Sequence, residues 1–232
     1  MIDKVGRWLD ERTGASQVWQ AIFKRKIPLG VNFLYTFGAV TMFLFTLQAL
    51  TGIFLAMNYS PSPEHAYDSV LYITNEVAFG SIVRGLHHWG SSAMVVVVVL
   101  HMAVVFYLGA YRYPREVTWL TGVVLLLLVL GFSFTGYLLP WDEKAYWATA
   151  VGTNMAGTVP FVGGFLLALL RGGTEIGAVS LARFYAFHTF LLPALAISLM
   201  GVHLFLVVKH GVSVPPWIWR KATTGQKKTG RR

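Results

Sequence analysis

The sequence predicts an all-α integral membrane protein, a bundle of four membrane-spanning helices. Of the 232 residues, 55% are hydrophobic and only 12% are charged, a balance that excludes most soluble domains of this size. Charged residues are also absent from four long intervals. Each interval exceeds the roughly 20 residues that a helix needs to cross the hydrocarbon core. We call these intervals span A (27–63), span B (85–111), span C (117–141) and span D (184–208).

The N-terminal residues 1–30 are predicted to form an amphipathic surface segment. Ile2, Val5, Trp8 and Leu9 recur at helical spacing, as in helices that lie in the membrane interface. We expect no signal peptide, because acidic residues interrupt this segment and a continuous apolar core is missing.

The rest of the chain divides into a domain and a tail. Residues 31–210 are predicted to form the four-helix domain, and residues 211–232 a basic tail. The apolar run at 161–170 is too short to span, so we expect it to lie in the interface or to pack under a loop.

The positive charge predicts the topology. Of the 19 Lys and Arg residues, six precede residue 31, two lie between spans B and C, and seven follow from Lys209 onward. A four-span topology puts all of these on one side, so the positive-inside rule predicts that both termini are cytoplasmic. We call the opposite side the outer side. The net charge of +9 is then a membrane signal, and we expect no nucleic acid partner.

Two spans carry matched pairs of histidines. His87 and His101 are fourteen residues apart in span B, which is 40° short of four full turns and a rise of about 21 Å. His188 and His203 in span D are fifteen residues apart, about 60° off register and about 22 Å apart along the axis. Spans B and D run parallel. The pattern therefore pairs His87 with His188 near the outer side and His101 with His203 near the inner side, whereas His88 points elsewhere.

The paired histidines predict two haem sites between spans B and D. A helix–helix hydrogen bond is the alternative for any single intramembrane histidine, but four in this arrangement indicate function. Zinc requires four ligands, and each pair offers only two. A haem supplies four equatorial nitrogens and needs only an axial pair from the protein.

Four glycines repeat this spacing and support the same prediction. A flat macrocycle between spans B and D requires slim neighbouring helices, and close helix packing is the alternative role of a membrane glycine. Spans A and C each carry two glycines fourteen residues apart. By depth, Gly38 and Gly122 fall at the inner level and Gly52 and Gly136 at the outer level.

Several segments resemble cytochrome b of the bc-type quinol:cytochrome c oxidoreductases. They are residues 31–59, residues 84–101, "TGYLLPWDEKAYWA" and "RFYAFHTFLLP". The chain is most similar to the short, split form of cytochrome b-six type, which ends after four helices and typically has fifteen residues between the histidines of span D. The resemblance implies two noncovalent b-type haems, of low potential at His87/His188 and of high potential at His101/His203.

The resemblance also implies roles for residues around the haems. Arg84 would pair with a haem propionate, or would serve as an interfacial anchor. The segment from Tyr137 to Trp147, with Pro140 and Trp141, would wall the outer quinone pocket and offer a docking surface for an iron–sulfur protein, or would anchor the interface by its aromatic side chains. Lys209 and His210 are candidates for the inner quinone pocket.

The sequence departs from the family pattern at three positions. Thr36 stands where the split form commonly has the cysteine that holds a c-type haem, and the chain has no cysteine, so we expect no covalently attached haem. Val104 and Val208 replace basic residues. The propionates of the inner haem and the quinone would then rely on Lys209, Arg112, Arg115 or His210. The alternative is that these residues only form the solvated cytoplasmic rim of the protein.

The resemblance implies a subunit of a quinol:cytochrome c (or plastocyanin-type) oxidoreductase. The subunit would relay electrons across the membrane, from quinol oxidised outside to quinone reduced inside, with proton translocation by a Q cycle. The Pro-Glu-Trp-Tyr motif of the outer site is missing, so we expect a subunit-IV-like partner with the remaining helices. A Rieske iron–sulfur protein, a c-type cytochrome, lipid and a homodimeric complex are also implied. We expect a bacterial plasma membrane, with a thylakoid as the alternative. Two other functions stay open: a dihaem anchor of a quinone-linked dehydrogenase or hydrogenase, and a haem-free transporter.

Overall fold

Within residues 2–24 and 31–213, which the computed structural model describes, all regular structure is helical. The basic tail predicted for residues 211–232 lies outside the described residues from 214 onward. The ten α-helices, in chain order, are α1 (Ile2–Thr13), α2 (Ala15–Phe23), α3 (Phe37–Ala56), α4 (Ala66–Asn75), α5 (Gly80–Tyr107), α6 (Glu116–Leu138), α7 (Glu143–Gly157), α8 (Gly163–Arg171), α9 (Ala178–Ala186) and α10 (Leu192–His210).

Four of the described helical segments are long and apolar enough to cross a membrane, as predicted. Span A comprises a 3-10 turn and α3, spans B and C are α5 and α6, and span D joins α9 to α10 through a π-helical turn at Phe187–Leu191. Span A begins where the Asn32 side chain accepts a hydrogen bond from the backbone N–H of Leu34 at 3.1 Å, the arrangement of an N-cap.

Span D begins at Ala178, earlier than the charge-free interval indicates. The interval stops at Arg183, but the helix accommodates this residue because its guanidinium has partners. Arg183 Nη1 donates to the carbonyls of Ala168 at 2.7 Å and Leu169 at 2.5 Å, which belong to the last turn of α8. A cation that satisfies the open carbonyls of a helix end is well placed, so Arg183 ties α8 to span D.

The spans pack as two pairs. Span A lies along span B, span D lies along span C, and spans B and C also touch. In the described part of the chain, spans B and D have no comparably close backbone packing. The fully buried large side chains lie toward the outer end of the bundle: Phe184, Leu181, Leu138 and Ile73. Among the described residues, the large fully buried apolar side chains are therefore concentrated at the outer end of the bundle.

The outer connection between spans C and D forms a helical hairpin. The Asp142 side chain accepts the backbone N–H of Ala145 at 2.8 Å and starts α7. Helix α8 packs against α7, and Arg171 Nε donates to the buried Thr153 hydroxyl at 2.8 Å. The apolar run at 161–170 therefore lies largely in α8, against the hairpin.

The N-terminal helices α1 and α2 meet at Gly14, whose φ of 62° suits glycine. Asp10 bridges the junction, because its carboxylate accepts the backbone N–H of Ser16 at 2.6 Å and the Ser16 hydroxyl at 2.7 Å. These two hydrogen bonds hold the pKa of Asp10 below its ordinary value. Val5, Trp8 and Leu9 are exposed, and their placement in a membrane interface stays a prediction.

Candidate functional site

His87 of span B and His188 of span D, the outer pair, lie close to each other between the two spans. The ring centroids of His87 and His188 are 6.3 Å apart, and the ring planes make an angle of 73°. An imidazole nitrogen binds a metal ion at about 2.0–2.1 Å, and the ring centre lies about 1.1 Å behind it, so two rings on opposite sides of one metal ion are roughly 6.2–6.4 Å apart. The observed separation therefore fits a bis-histidine axial pair.

The π-helical turn in span D corrects the register of His188. The backbone N–H of Leu192 bonds to the carbonyl of Phe187, five residues earlier. Such a turn takes up one extra residue, so fifteen residues from His188 to His203 cover the rotation of about fourteen α-helical residues. Span D thereby gains the offset of span B. Pro193, within the first two residues of α10, explains the turn, because a proline inside a helix lacks an N–H and clashes with the carbonyl four residues before it.

The inner histidines, His101 in span B and His203 in span D, lie against Gly38 and Gly122 of the neighbouring spans. Both are half-buried, like His87 and His188. We call His87 with His188 the outer station and His101 with His203 the inner station. The pairing of His101 with His203 stays a prediction.

Three of these histidines each contact a threonine that the sequence patterns did not predict. Each ring Nδ1 lies against a threonine hydroxyl in the neighbouring span, and in each case the threonine immediately precedes one of the four glycines. The Thr51 Oγ1 to His87 Nδ1 distance is 2.9 Å, the Thr121 Oγ1 to His203 Nδ1 distance is 2.9 Å, and the Thr135 Oγ1 to His188 Nδ1 distance is 3.0 Å. The dipeptide Thr-Gly, repeated at three of the four positions, is the signal that could have found them.

Each of the four glycines lies against the ring of one histidine. A Cβ added at Gly136 would come within 2.7 Å of His188 Cε1, which is closer than carbon atoms pack. At the other three the nearest atom is also a histidine Cε1: 3.2 Å for Gly38 (His101), 3.2 Å for Gly52 (His87) and 3.4 Å for Gly122 (His203). The depth predicted for each glycine matches the depth of its histidine. The glycines therefore leave room for the imidazole rings themselves, beside any clearance for a macrocycle.

The donor set does not suit a small metal ion. Among the described residues, no cluster of three or more His, Cys, Asp or Glu side chains is close enough to hold a metal ion. Two facing imidazoles without a third ligand fit a metal that brings its own equatorial ligands, which a haem does.

Comparison with known proteins identifies the family. A family model described as cytochrome b/b6/petB matches residues 22–211. The chain belongs to the cytochrome b family. The menaquinol:cytochrome c reductase cytochrome b subunit of Geobacillus thermodenitrificans is 45% identical over 223 residues, which cover 93% of this chain and 100% of the relative. Cytochrome b6 of Heliobacterium modesticaldum is 42% identical over 210 residues, covering 90% of this chain and 99% of the relative.

A solved structure has the same fold. A chain of a hyperthermophilic respiratory complex III superposes with a TM-score of 0.82 at 30% identity over 90% of this chain. This cytochrome b chain spans 56% of that longer chain, as the resemblance to the short, split form implies.

Two further residues of span B flank the outer station. Arg84 lies one turn before His87 and is exposed, without a hydrogen bond or ion pair to the described part of the chain. His88 is also exposed and makes an edge contact with Trp89, with ring centroids 5.5 Å apart. His88 therefore belongs to neither station, as its position on the helix predicts.

The outer quinone-pocket candidates lie at the outer end of span C. Tyr137 is 55% exposed, and Pro140 is half-buried. Trp141 has a left-handed φ of 53° and makes an edge contact with Tyr146 at 6.3 Å between ring centroids. A non-glycine residue in this region is strained, and such strain concentrates at functional sites.

Next to them, Tyr59 links span A to span C. Its hydroxyl donates to the carbonyl of Leu139 at 2.6 Å, and its ring stacks on Tyr185 with 5.5 Å between centroids. Burial, reinforced by Tyr185, raises the pKa of Tyr59 far above its ordinary value. Tyr59 therefore remains a neutral hydrogen-bond donor that fixes the outer end of span C.

The inner candidates lie where spans C and D meet. Lys209 is exposed, and His210 is half-buried, with its carbonyl accepting from Arg115 Nη2 at 3.1 Å. Buried Arg115 Nε, Thr118 Oγ1 and His210 Nδ1 have no hydrogen-bond partner within the described chain. Buried polar atoms are usually hydrogen-bonded to protein or to water, so this junction is suited to a polar ligand. The side chain of Arg112 lies beside Gly109, in the connection between spans B and C.

Proposed function

We propose that this chain is the dihaem cytochrome b subunit of a membrane quinol:cytochrome c oxidoreductase. His87 and His188 hold the outer haem, and His101 and His203 hold the inner one. The observation that carries the proposal is the outer pair, with ring centroids 6.3 Å apart. The named relatives support the reaction class, since one is a menaquinol:cytochrome c reductase subunit. Family membership also favours this function over the dehydrogenase anchor and the transporter.

Two b-type haems bound at these stations would supply one-electron transfer along the membrane normal, with quinol as the electron donor and quinone as the acceptor. The chain's own residues would bind the haems and set their orientation. The histidines present Nε2 from two parallel spans, the glycines admit the rings, and the apolar faces of the spans exclude water.

The ends of the bundle contribute polar groups. Arg84 is placed one turn outward of His87, where it can pair with a propionate. Tyr137, Pro140 and Trp141 wall the outer quinone pocket. His210 and Lys209, with Arg115 and Thr118, form the inner pocket, because the unpaired buried atoms at that junction favour a propionate or a quinone oxygen.

The proposal includes the partners and the location that the family implies. A subunit with the remaining helices completes the outer site, a Rieske iron–sulfur protein takes one electron there, and a c-type cytochrome accepts it in turn. The complex is a homodimer in a bacterial plasma membrane, with both termini cytoplasmic. The distribution of Lys and Arg supports that orientation.

The test is haem content per polypeptide. The complex is purified from membranes in mild detergent, haem is extracted into acidified acetone, and a reduced-minus-oxidised spectrum is recorded. We expect two extractable b-type haems per chain and no haem left on the protein. His188→Ala should remove one haem, and the matched variant His88→Ala should remove none, because His88 is exposed. One or no haem in the wild type, or loss of a haem from His88→Ala, would contradict the proposal.

A further inference from the structure

The threonine contacts determine which nitrogen of each histidine carries the proton. A hydroxyl has one hydrogen to donate. Thr51 Oγ1 lies 2.6 Å from the carbonyl of Leu47, Thr135 Oγ1 lies 2.8 Å from the carbonyl of Gly131, and Thr121 Oγ1 lies 2.9 Å from the carbonyl of Thr118. Because a carbonyl only accepts, these contacts of 2.6–2.9 Å favour donation of each hydroxyl hydrogen to the backbone.

The oxygen of each threonine is therefore left to accept. At 2.9–3.0 Å from Nδ1, it accepts the Nδ1–H of the imidazole. The proton is then on Nδ1, and the lone pair is on Nε2. This is the tautomer in which Nε2 can bind iron, and it is set by the bond that the other nitrogen makes.

The fourth histidine lacks such a partner. Phe37 precedes Gly38, where the other three glycines follow a threonine. His101, which lies against Gly38, makes no hydrogen bond to the described residues. The outer station consequently has two threonine-supported imidazoles and the inner station has one.

We propose that Thr51, Thr121 and Thr135 are positioning residues that orient three of the four imidazoles and lower the reduction potential of the haem that each imidazole would hold. The inference rests on the proposed function. A hydrogen bond from Nδ1–H to an acceptor raises the basicity of the ligand, which favours ferric over ferrous iron and lowers the potential.

A purely structural role for these threonines is the competing explanation. Threonine in membrane helices commonly bonds to the carbonyl four residues before it, and Thr46 does so with Met42 at 3.0 Å. Thr46 is exposed in the same span as Thr51, and its hydroxyl bonds to its own helix. Thr46→Val is therefore a matched control that removes the backbone bond and leaves the histidines untouched.

The experiment is a redox titration that resolves both haems in the purified complex, with the wild type and single variants. Thr51→Val and Thr135→Val should shift the oxidised-to-reduced ratio of the outer haem toward the reduced form by about threefold to tenfold, where tenfold is about 59 mV for one electron. Thr121→Val should shift only the inner haem. Thr51→Ser and Thr135→Ser keep a hydroxyl and should return the potential toward the wild-type value, and Thr46→Val should change neither haem.

Loss of the outer haem from a valine variant but not from its serine counterpart would also support the positioning role, because second-shell partners typically contribute 10–100-fold in metal affinity. Unchanged potentials in all three valine variants, equal effects of valine and serine, or an equal shift in Thr46→Val would overturn the inference. A wild-type complex without two haems would instead overturn the proposed function, so the two failures are distinguishable.

Discussion

Replacing the four glycines one at a time by alanine should damage haem binding in the order of the distance between the added Cβ and the neighbouring imidazole. Gly136→Ala is the most severe change, because its Cβ would lie 2.7 Å from His188 Cε1. To reach ordinary contact at 3.4 Å, as at Gly122, the imidazole must retreat by about 0.7 Å, several times the roughly 0.2 Å by which metal–ligand distances vary. Gly38→Ala and Gly52→Ala, at 3.2 Å, require about 0.2 Å.

The expected cost follows from overpacking. Inserting a methyl group into a packed site typically costs about 1–3 kcal/mol, or about 5-fold to 150-fold in an equilibrium constant. We expect Gly136→Ala to reach the upper part of this range and lose the outer haem selectively. Gly38→Ala and Gly52→Ala should weaken retention of the inner and outer haem several-fold, and Gly122→Ala should remain close to the wild type.

The assay is haem retained per chain during stepwise washing in detergent, resolved by the spectra of the two haems. Gly201→Ala is the control, since this glycine lies in span D with nothing within 4 Å of an added Cβ. Equal losses at all four positions, or the largest loss at Gly122, would refute the reasoning from ring clearance. A loss at Gly201 would point to helix propensity or lipid packing instead.

Two further predictions concern groups outside the helices that form the spans. Burial and the neighbouring Tyr185 raise the pKa of Tyr59, so its contribution to stability is complete below the unfolded pKa of about 10 and declines as the pH rises toward the folded value. Thermal unfolding in detergent should therefore lose stability between pH 9 and 11 more steeply in the wild type than in Tyr59→Phe, and parallel curves would contradict this. The N–H and O–H of Ser16 lower the pKa of Asp10, so the junction between α1 and α2 is stabilised above the unfolded pKa and loses that support as the pH falls through the folded value. Asp10→Asn should speed amide exchange of the Ser16 N–H at neutral pH, whereas Glu11→Gln, next to it and exposed, should not; equal rates in both would argue against the cap.

The sequence predicts the four spans well because hydrophobicity and the absence of charge have direct physical meaning in a bilayer. The same criterion misplaces the start of span D, which it cuts at Arg183. A charge count cannot anticipate that the guanidinium is satisfied by the carbonyls of Ala168 and Leu169, because those partners come from another helix. The outer boundaries of spans depend on such tertiary contacts more than on composition.

The histidine pairs could likewise be predicted, because helical periodicity fixes their depth and face. The threonine partners could not be reached by that argument, since each bond joins two different spans. The glycines that the spacing identifies are the immediate sequence neighbours of these threonines. Gly52, Gly122 and Gly136 each follow a threonine, but a helical threonine ordinarily bonds to its own backbone, so only the positions of the imidazoles reveal its second contact.

The register of span D shows how a local irregularity keeps the two stations equivalent. With ideal α-helical geometry, fourteen residues in span B and fifteen in span D would turn the inner histidines in opposite senses relative to the outer ones, by about 40° and about 60°. The inner histidines would then have unequal angular offsets from the outer ones on their two spans. The π-helical turn at Phe187–Leu191 removes this mismatch, because it takes up the extra residue. The turn ends two residues before Pro193, a residue that disturbs helical hydrogen bonding. It lets one pair of parallel helices carry two pairs of histidines at different depths.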